Sequence, residues 1–402
     1  MWRINHAPKR PTTEYLDVVL TRVEEDDDLR FRADAILAAA EKDTSLFAEL
    51  FHCPQDPVRH GEGPFVGHHI RLILMTLYAI VDGKVHLMDI EEFRRLKGFE
   101  GEIEELEETI KEKVASLEVY ALCHDLGKPS TIWFEAKPGS EGASLGFAVP
   151  ISHAWADERE VKRQELIVRY RELFSVFAKE RAEMSASDVQ AEFFAQFQIL
   201  IHYPGHAHSL AEPRLRALFA QVAEARRLTP NDAEDISHVI FQHMDAIVAF
   251  QRANLRAYNH FAHYARHYGR DADDFLDLLL AAIFLDAVCA SRRRGVHGVW
   301  YDATLVVHFL AAEREYAPWK REQRLKARED ARRKEENRRL REAKLDGDSL
   351  LTLFQMQTSP QFGSILAAVH KAARGECPLP TSFPADILQE LENRVMEYRS
   401  LI

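Results

Sequence analysis

Residues 114–129 read VASLEVYALCHDLGKP. Ten mostly apolar residues end in the adjacent pair His124-Asp125, and Gly127-Lys128-Pro129 stops the segment at once. A glycine followed by a proline ends a helix, because proline can neither donate to it nor tolerate a helical residue before it. The pair therefore sits at the end of a buried helix. Neighbouring side chains diverge on a regular helix but converge more easily at its end. An imidazole beside a carboxylate suits Zn, Mn, Fe or Ni better than Ca.

Working outward, residues 68–82 (HHIRLILMTLYAIVD) read as a mostly buried helix, preceded by a loop from Phe51 to Gly67 rich in Pro, Gly and His. From Leu29, apolar residues recur at helical spacing. Residues 88–122 open with an acidic helix, and residues 135–150 form the clearest loop. A long amphipathic pattern covers 153 to about 200, and helices follow at 211–228, 231–250, 252–268 and 271–291. No run of segments alternates with period two. Gly (17) and Pro (16) are scarce in 402 residues, too few for a turn-rich β fold. The expected class is all-α.

Lys+Arg number 52 against 64 Asp+Glu, a net charge of −12, which argues against a nucleic-acid coat over the whole surface. Residues 313–344 depart from this balance, with thirteen Lys/Arg against eight Asp/Glu. They suit a long exposed helix with ion pairs four residues apart, either a solvated connector or an arm contacting an RNA backbone. The four cysteines lie far apart with no CxxC, so neither a zinc ribbon nor a disulfide framework is expected, and a reducing cytoplasm is. No signal peptide is read. The longest apolar stretch, Ile73 to Val81, is too short to span a bilayer.

Two further features point to chemistry. Asp286 is a lone carboxylate in the apolar stretch Ala281-Ala282-Ile283-Phe284-Leu285-Asp286-Ala287, costly unless paired or bound to a cation. The Arg292-Arg293-Arg294 cluster two turns on is one partner, a metal another. Of the 19 histidines, His202, His206 and His208 could compete as metal ligands, but without a nearby carboxylate they read as a polar loop. His260, His263 and His267 share one helical face, read as solvated.

The His-Asp pair, with a histidine on an earlier helix and an aspartate on a late one, resembles the HD-domain phosphohydrolase superfamily. The first histidine lies in His68-His69-Ile70-Arg71-Leu72-Ile73. Apolar followers two and four positions on favour His68 over His69. The resemblance implies one metal held by His68, His124, Asp125 and Asp286. In an extended version, a second metal takes Asp125, His153 and His243. It also places Lys128 near the site. Lys128 and Arg292, Arg293 and Arg294 would then meet a substrate phosphate. One or two divalent ions (Mn, Ni, Fe, Zn or Mg) are implied.

Residues 345–376 resemble the C-terminal motif of bacterial tRNA nucleotidyltransferases and poly(A) polymerases, through Gly347-Asp348-Ser349-Leu350, Ser359-Pro360-Gln361 and Gly363-Ser364-Ile365-Leu366. Too few residues precede His68 for the nucleotidyltransferase head, and that head's Gly-Ser motif with a following Asp-x-Asp carboxylate pair is not read elsewhere, so CCA addition by this chain is not expected. The resulting division is an N-terminal helical extension (1–64), an HD domain (65–312), a charged connecting helix (313–344) and a helical tail (345–402). The implied activity is metal-dependent hydrolysis of a 2′,3′-cyclic phosphate, 2′-nucleotide or phosphomonoester on a nucleotide or RNA 3′ end, with Asp125 and Lys128 at the reacting centre. A di-iron oxygenase of the same superfamily and an RNA-binding adaptor with a structural HD core are the other readings. No membrane partner is implied, and the sequence does not fix the oligomeric state.

Overall fold

The computed structural model describes residues 15–147, 156–251, 256–290, 292–295, 298–301, 318, 322, 325–326 and 329–401. The chain divides into an N-terminal unit, Met1–Ala317, and a C-terminal unit, Pro318–Ile402. The charged stretch after Pro318 and the tail thus share one unit. Both units are helical, and the fold class is all-α.

The N-terminal unit opens with α1 (Leu16–Glu25), α2 (Asp27–Asp43) and α3 (Ser45–Phe51). Asp26 starts α2 by accepting the Leu29 N–H at 3.0 Å, one of the amide groups a helix start leaves without a partner. A loop leads to α4 (Val66–Val81), which corresponds to the helix expected over 68–82. This helix is buried almost all round, from Val66 through Ile80. A helix apolar on every side belongs in the centre of a bundle, and α4 packs against α1, α2 and α3 as well as later helices.

The stretch expected to open with one acidic helix breaks into α5 (Glu91–Arg94), α6 (Glu100–Glu112) and α7 (Val114–Cys123). His124 caps α7, and a short helix, α8 (Lys128–Thr131), follows the glycine-lysine-proline stop. Two four-residue strands, β1 (Trp133–Ala136) and β2 (Ile199–His202), pair antiparallel with Trp133 opposite His202. Each is too short for an alternating pattern to stand out in the sequence. The amphipathic pattern between them forms two helices, α9 (Ala156–Lys179) and α10 (Ala186–Phe197).

A 3-10 turn at His206–Ala211 leads to α11 (Pro213–Ala225), α12 (Pro230–Gln251), α13 (Arg256–His267) and α14 (Ala272–Ala290). The Asp271 carboxylate starts α14 by accepting the N–H groups of Asp273 and Asp274 at 2.9 and 3.1 Å. From Phe275 to Cys289 α14 is buried at every position except Asp277. It packs against α4, α6, α7, α12 and α13. Helices α4, α7, α12 and α14 therefore surround one volume. A second antiparallel pair, β3 (Arg292–Gly295) and β4 (Gly298–Tyr301), follows.

In the C-terminal unit, helices Gly347–Phe354, Pro360–Ala373 and Ala385–Ser400 enclose a small core of Leu350, Phe362, Val369, Leu391, Val395 and Tyr398. Leu340 and Ala343, at the end of the charged stretch, join that core. The motif-like residues here have local structural work. Asp346 caps the first helix by accepting the N–H groups of Asp348 and Ser349 at 3.1 and 3.2 Å. Ser359 caps the second by accepting the Phe362 N–H at 3.2 Å. Upstream, Arg338 bridges Glu335 and Glu342, the ion pairing expected of the charged helix.

Candidate metal centre

Five elements bring imidazoles and carboxylates into the volume between α4, α7, α12 and α14. Helix α4 supplies His69, the end of α7 supplies His124 and Asp125, and α14 supplies Asp286. The 3-10 turn supplies His206, and α12 supplies His243. All six residues are buried. The His69 and His124 ring centroids lie 5.6 Å apart, those of His124 and His243 5.7 Å, and those of His206 and His243 5.5 Å.

The histidines share one orientation. His124 Nδ1–H is shared between the carbonyls of Tyr120 (3.1 Å) and Ala121 (3.2 Å). His206 Nδ1–H donates to the Tyr203 carbonyl at 2.9 Å, and His243 Nδ1–H to the Ile240 carbonyl at 2.6 Å. A carbonyl can only accept, so each Nδ1 carries a proton and each Nε2 is left with a lone pair when the ring is neutral. His69 Nδ1 lies 2.8 Å from Glu62 Oε1, in a bent approach, and its Nε2–H donates to Asp286 Oδ1 at 3.0 Å. Asp286 Oδ2 accepts the Tyr120 hydroxyl at 3.2 Å.

Asp125 lies at the meeting point. Its Oδ2 is 3.3 Å from His124 Nε2 and 2.7 Å from Lys128 Nζ, and its Oδ1 is 3.5 Å from His206 Nε2. Lys128 is itself buried, with its ammonium 4.9 Å from the centre of the Tyr203 ring. His124 Nε2, Asp125 Oδ2 and His243 Nε2 make no hydrogen bond of proper geometry. Buried polar atoms without such partners are costly, and a bound cation is what this set of donors fits. His69, His124 and Asp125 form one group able to hold a metal ion, and Asp125, His206 and His243 form another.

The charges follow from this packing. Burial opposes ionisation of Asp286, but the hydrogen bond from His69 and the charge on that ring outweigh it and hold the carboxyl well below its usual range. Asp125 is held well below its usual range too, as His124 and Lys128 overcome its burial. Burial would push His69 down, yet Glu62 and Asp286 lift it to about 10. Burial dominates at His243, pushed down to about 3, and at His206, also lowered.

Local backbone explains how His206 reaches Asp125. The β1–β2 pairing ties the segment after the His-Asp pair to the segment before His206. Gly127 then permits close approach: a Cβ there would meet the His206 carbonyl oxygen at 2.5 Å and Ser209 Cβ at 2.5 Å. Only glycine allows the turn after Asp125 to lie against the His206 turn.

The placement corrects the reading of the histidine doublet. His68 lies outside the cluster: its Nδ1–H donates to the Phe65 carbonyl at 3.2 Å, its ring stacks on Phe65, and burial pushes it down to about 4. His69 is the inward residue. Apolar followers at two and four positions do not define one face of a helix, where neighbours recur at three and four. His69 shares its face with Ile73 and Thr76, both buried.

His124, Asp125, His243 and Asp286 lie in one buried volume, and Lys128 is close to Asp125. His153 lies outside the described residues, as do the side chains of Arg292, Arg293 and Arg294. Their backbone in β3 directly follows α14. His206, read from sequence as a loop residue without a carboxylate, has Asp125 as its carboxylate. His60 and Glu62, in the loop before α4, were not singled out at all. The clustering of Pro, Gly and His in that loop was the only signal. His260, His263 and His267 are exposed on α13.

No family model, curated protein or solved structure matches this chain. No helix among the described residues is long and apolar enough to cross a membrane.

Proposed function

We propose that the N-terminal unit is a metal-dependent phosphohydrolase of the HD type, acting on a phosphoester of a nucleotide or an RNA 3′ end. The observation that carries this reading is the convergence on Asp125 of His124 Nε2 and His243 Nε2, both buried and without hydrogen bonds, from helices far apart in the chain. His69, His124, Asp125 and Asp286 would hold one divalent ion. Asp125, His206 and His243 would hold a second, with Asp125 shared. The chemistry such ions supply is a lowered pKa for bound water and polarisation of a phosphoryl oxygen.

The protein's own groups supply the rest. The Nδ1 bonds of His124, His206 and His243 fix which nitrogen faces the centre. His69 would give up its Nε2 proton on ligation, coupling metal uptake to proton release. Asp125, held ionised by His124 and Lys128, would accept a hydrogen bond from an attacking water. Lys128, buried and 2.7 Å from Asp125, would offset the negative charge developing on the non-bridging oxygens. Mn, Fe, Ni or Zn suits these imidazole and carboxylate donors, and Mg follows only by resemblance. The charged stretch 313–344 would contact an RNA backbone.

Metal analysis followed by a substrate screen tests this. The protein should hydrolyse at least one of 2′,3′-cyclic AMP, 2′-AMP, 3′-AMP, a dNTP or p-nitrophenyl phosphate with Mn²⁺, Ni²⁺ or Mg²⁺. EDTA should abolish that activity and added metal restore it. Metal-loaded protein that hydrolyses none of them contradicts the reading. Iron with oxygen-dependent turnover would replace it by an oxygenase, and salt-sensitive RNA binding alone by an adaptor.

A further inference from the structure

The loop between α3 and α4 buries a carboxylate. Glu62 is 6% exposed as a residue, although it stands in a segment of Pro, Gly and His. Isolated buried carboxylates are costly, and loops seldom carry them.

The loop is built to hold it. Gln55 Nε2–H donates to the Gly63 carbonyl at 2.9 Å, and Gln55 N–H donates to the Pro64 carbonyl at 2.9 Å. Pro54 and Phe65 form an antiparallel bridge that closes the loop. Ser187 of α10 donates its hydroxyl to the Gly61 carbonyl at 2.6 Å. Gly63, the next residue after Glu62, has φ +156°, and a Cβ there would meet His68 Cγ at 2.6 Å. Both neighbours of Glu62 are therefore fixed, one by a bond to α10 and the other by close contact with α4.

Two imidazoles converge on one oxygen of this carboxylate. His60 Nδ1–H donates to Glu62 Oε1 at 3.0 Å, and His69 Nδ1 lies 2.8 Å from the same atom. The two rings meet edge to face with centroids 4.8 Å apart. Glu62 is the counterpart at His69 of the carbonyls that hold Nδ1 of His124, His206 and His243. It differs from them in carrying charge. A carboxylate behind a metal-bound imidazole fixes the ring and makes its other nitrogen a stronger donor.

We infer that Glu62, clamped by His60, is a positioning residue that holds the His69 ring with Nε2 toward Asp286 and His124 and strengthens His69 as a metal ligand. This rests on the proposed metal centre and adds a part of the chain outside the His-Asp framework. His60, Glu62 and His69 are themselves close enough together to hold an ion. In this assignment they do not, because His69 faces its carboxylates with both nitrogens and commits Nε2 to the Asp286 side.

The test is a titration of the full chain with Mn²⁺, with free ion counted by EPR at fixed pH, for the wild type, Glu62→Ala and Glu62→Gln. Glu62→Ala should weaken Mn²⁺ binding about 10–100-fold, the usual cost of losing such a partner. Glu62→Gln should recover part of that loss, since its amide oxygen still accepts a bond but carries no charge. If the alanine variant does not fold, the glutamine variant should still bind more weakly than the wild type. Wild-type affinity in both variants, even with a lowered Tm, would reduce Glu62 to a structural role and overturn the inference while leaving the metal centre standing. Loss of one whole ion from the stoichiometry, the remaining affinity being unchanged, would make His60, Glu62 and His69 a site of their own and also overturn it. A wild type that binds no Mn²⁺ or other divalent ion would remove the metal centre itself.

Discussion

Replacing Asp125 by alanine should abolish hydrolysis, with a fall of at least about 10³-fold, equivalent to roughly 4 kcal/mol of transition-state stabilisation. Asp125 is the carboxylate common to two groups able to hold an ion, His69–His124–Asp125 and Asp125–His206–His243. No other acidic side chain in those two groups can replace it. Its removal also leaves Lys128 buried without the carboxylate 2.7 Å from it, and an uncompensated buried charge is destabilising. Asp125→Asn keeps the shape and removes the charge, which separates loss of chemistry from loss of fold. Steady-state rates on the best substrate, with metal content measured on the same samples, check both variants. Asparagine and alanine variants that turn over at the wild-type rate would exclude Asp125 from the reaction.

His69→Ala should cost the protein metal at a level that His68→Gln does not approach. His69 touches Asp286 through Nε2 and Glu62 through Nδ1. His68 touches a backbone carbonyl and the Phe65 ring. Losing a ligand should weaken binding by at least ~100-fold, the upper end of what losing a partner behind a ligand costs. The alanine variant also deprives both Glu62 and Asp286 of the imidazole between them, a loss of about 3–5 kcal/mol by analogy with broken buried pairs. His68→Gln should bind metal as the wild type does. Calorimetric metal titration and thermal unfolding of the two variants decide the matter. Equal metal affinity for His69→Ala and the wild type would mean that the ion, if bound, sits elsewhere.

What the sequence made readable depends on how local each signal is. Asp286 stands out because a carboxylate directly after the apolar run of residues 278–285 has a cost visible without any fold. His124-Asp125 stands out because an apolar helix stops at once after it. The all-α class follows from long helical periods such as α4 and α14, where a core helix leaves an apolar run. The doublet His68-His69 was not resolvable by followers alone, since one residue's rotation on a helix decides which ring faces inward.

His206 was hidden for a different reason. Its carboxylate partner is Asp125, which the chain brings close through the short β1–β2 pairing and the Gly127 contact. Four-residue strands leave no pattern to read. Glu62 was hidden because burial of a loop carboxylate is a tertiary property. Nothing in a stretch of Pro, Gly and His announces that Gln55 and Ser187 will pin it. The tail's Gly347-Asp348-Ser349-Leu350 was legible as a motif, and the structure adds that Asp346, just before it, is the helix cap.

The central claim is that imidazole and carboxylate groups from separate helices share a cation. Anomalous diffraction from crystals of the Mn²⁺- or Zn²⁺-loaded protein, collected at that metal's absorption edge, tests it most directly. The account predicts at least one peak within coordination distance, roughly 2.0–2.2 Å for Zn²⁺, of Asp125 and of His124 Nε2, with His69 or His243 completing the set. Fully loaded protein whose anomalous peaks all lie away from Asp125 would contradict it.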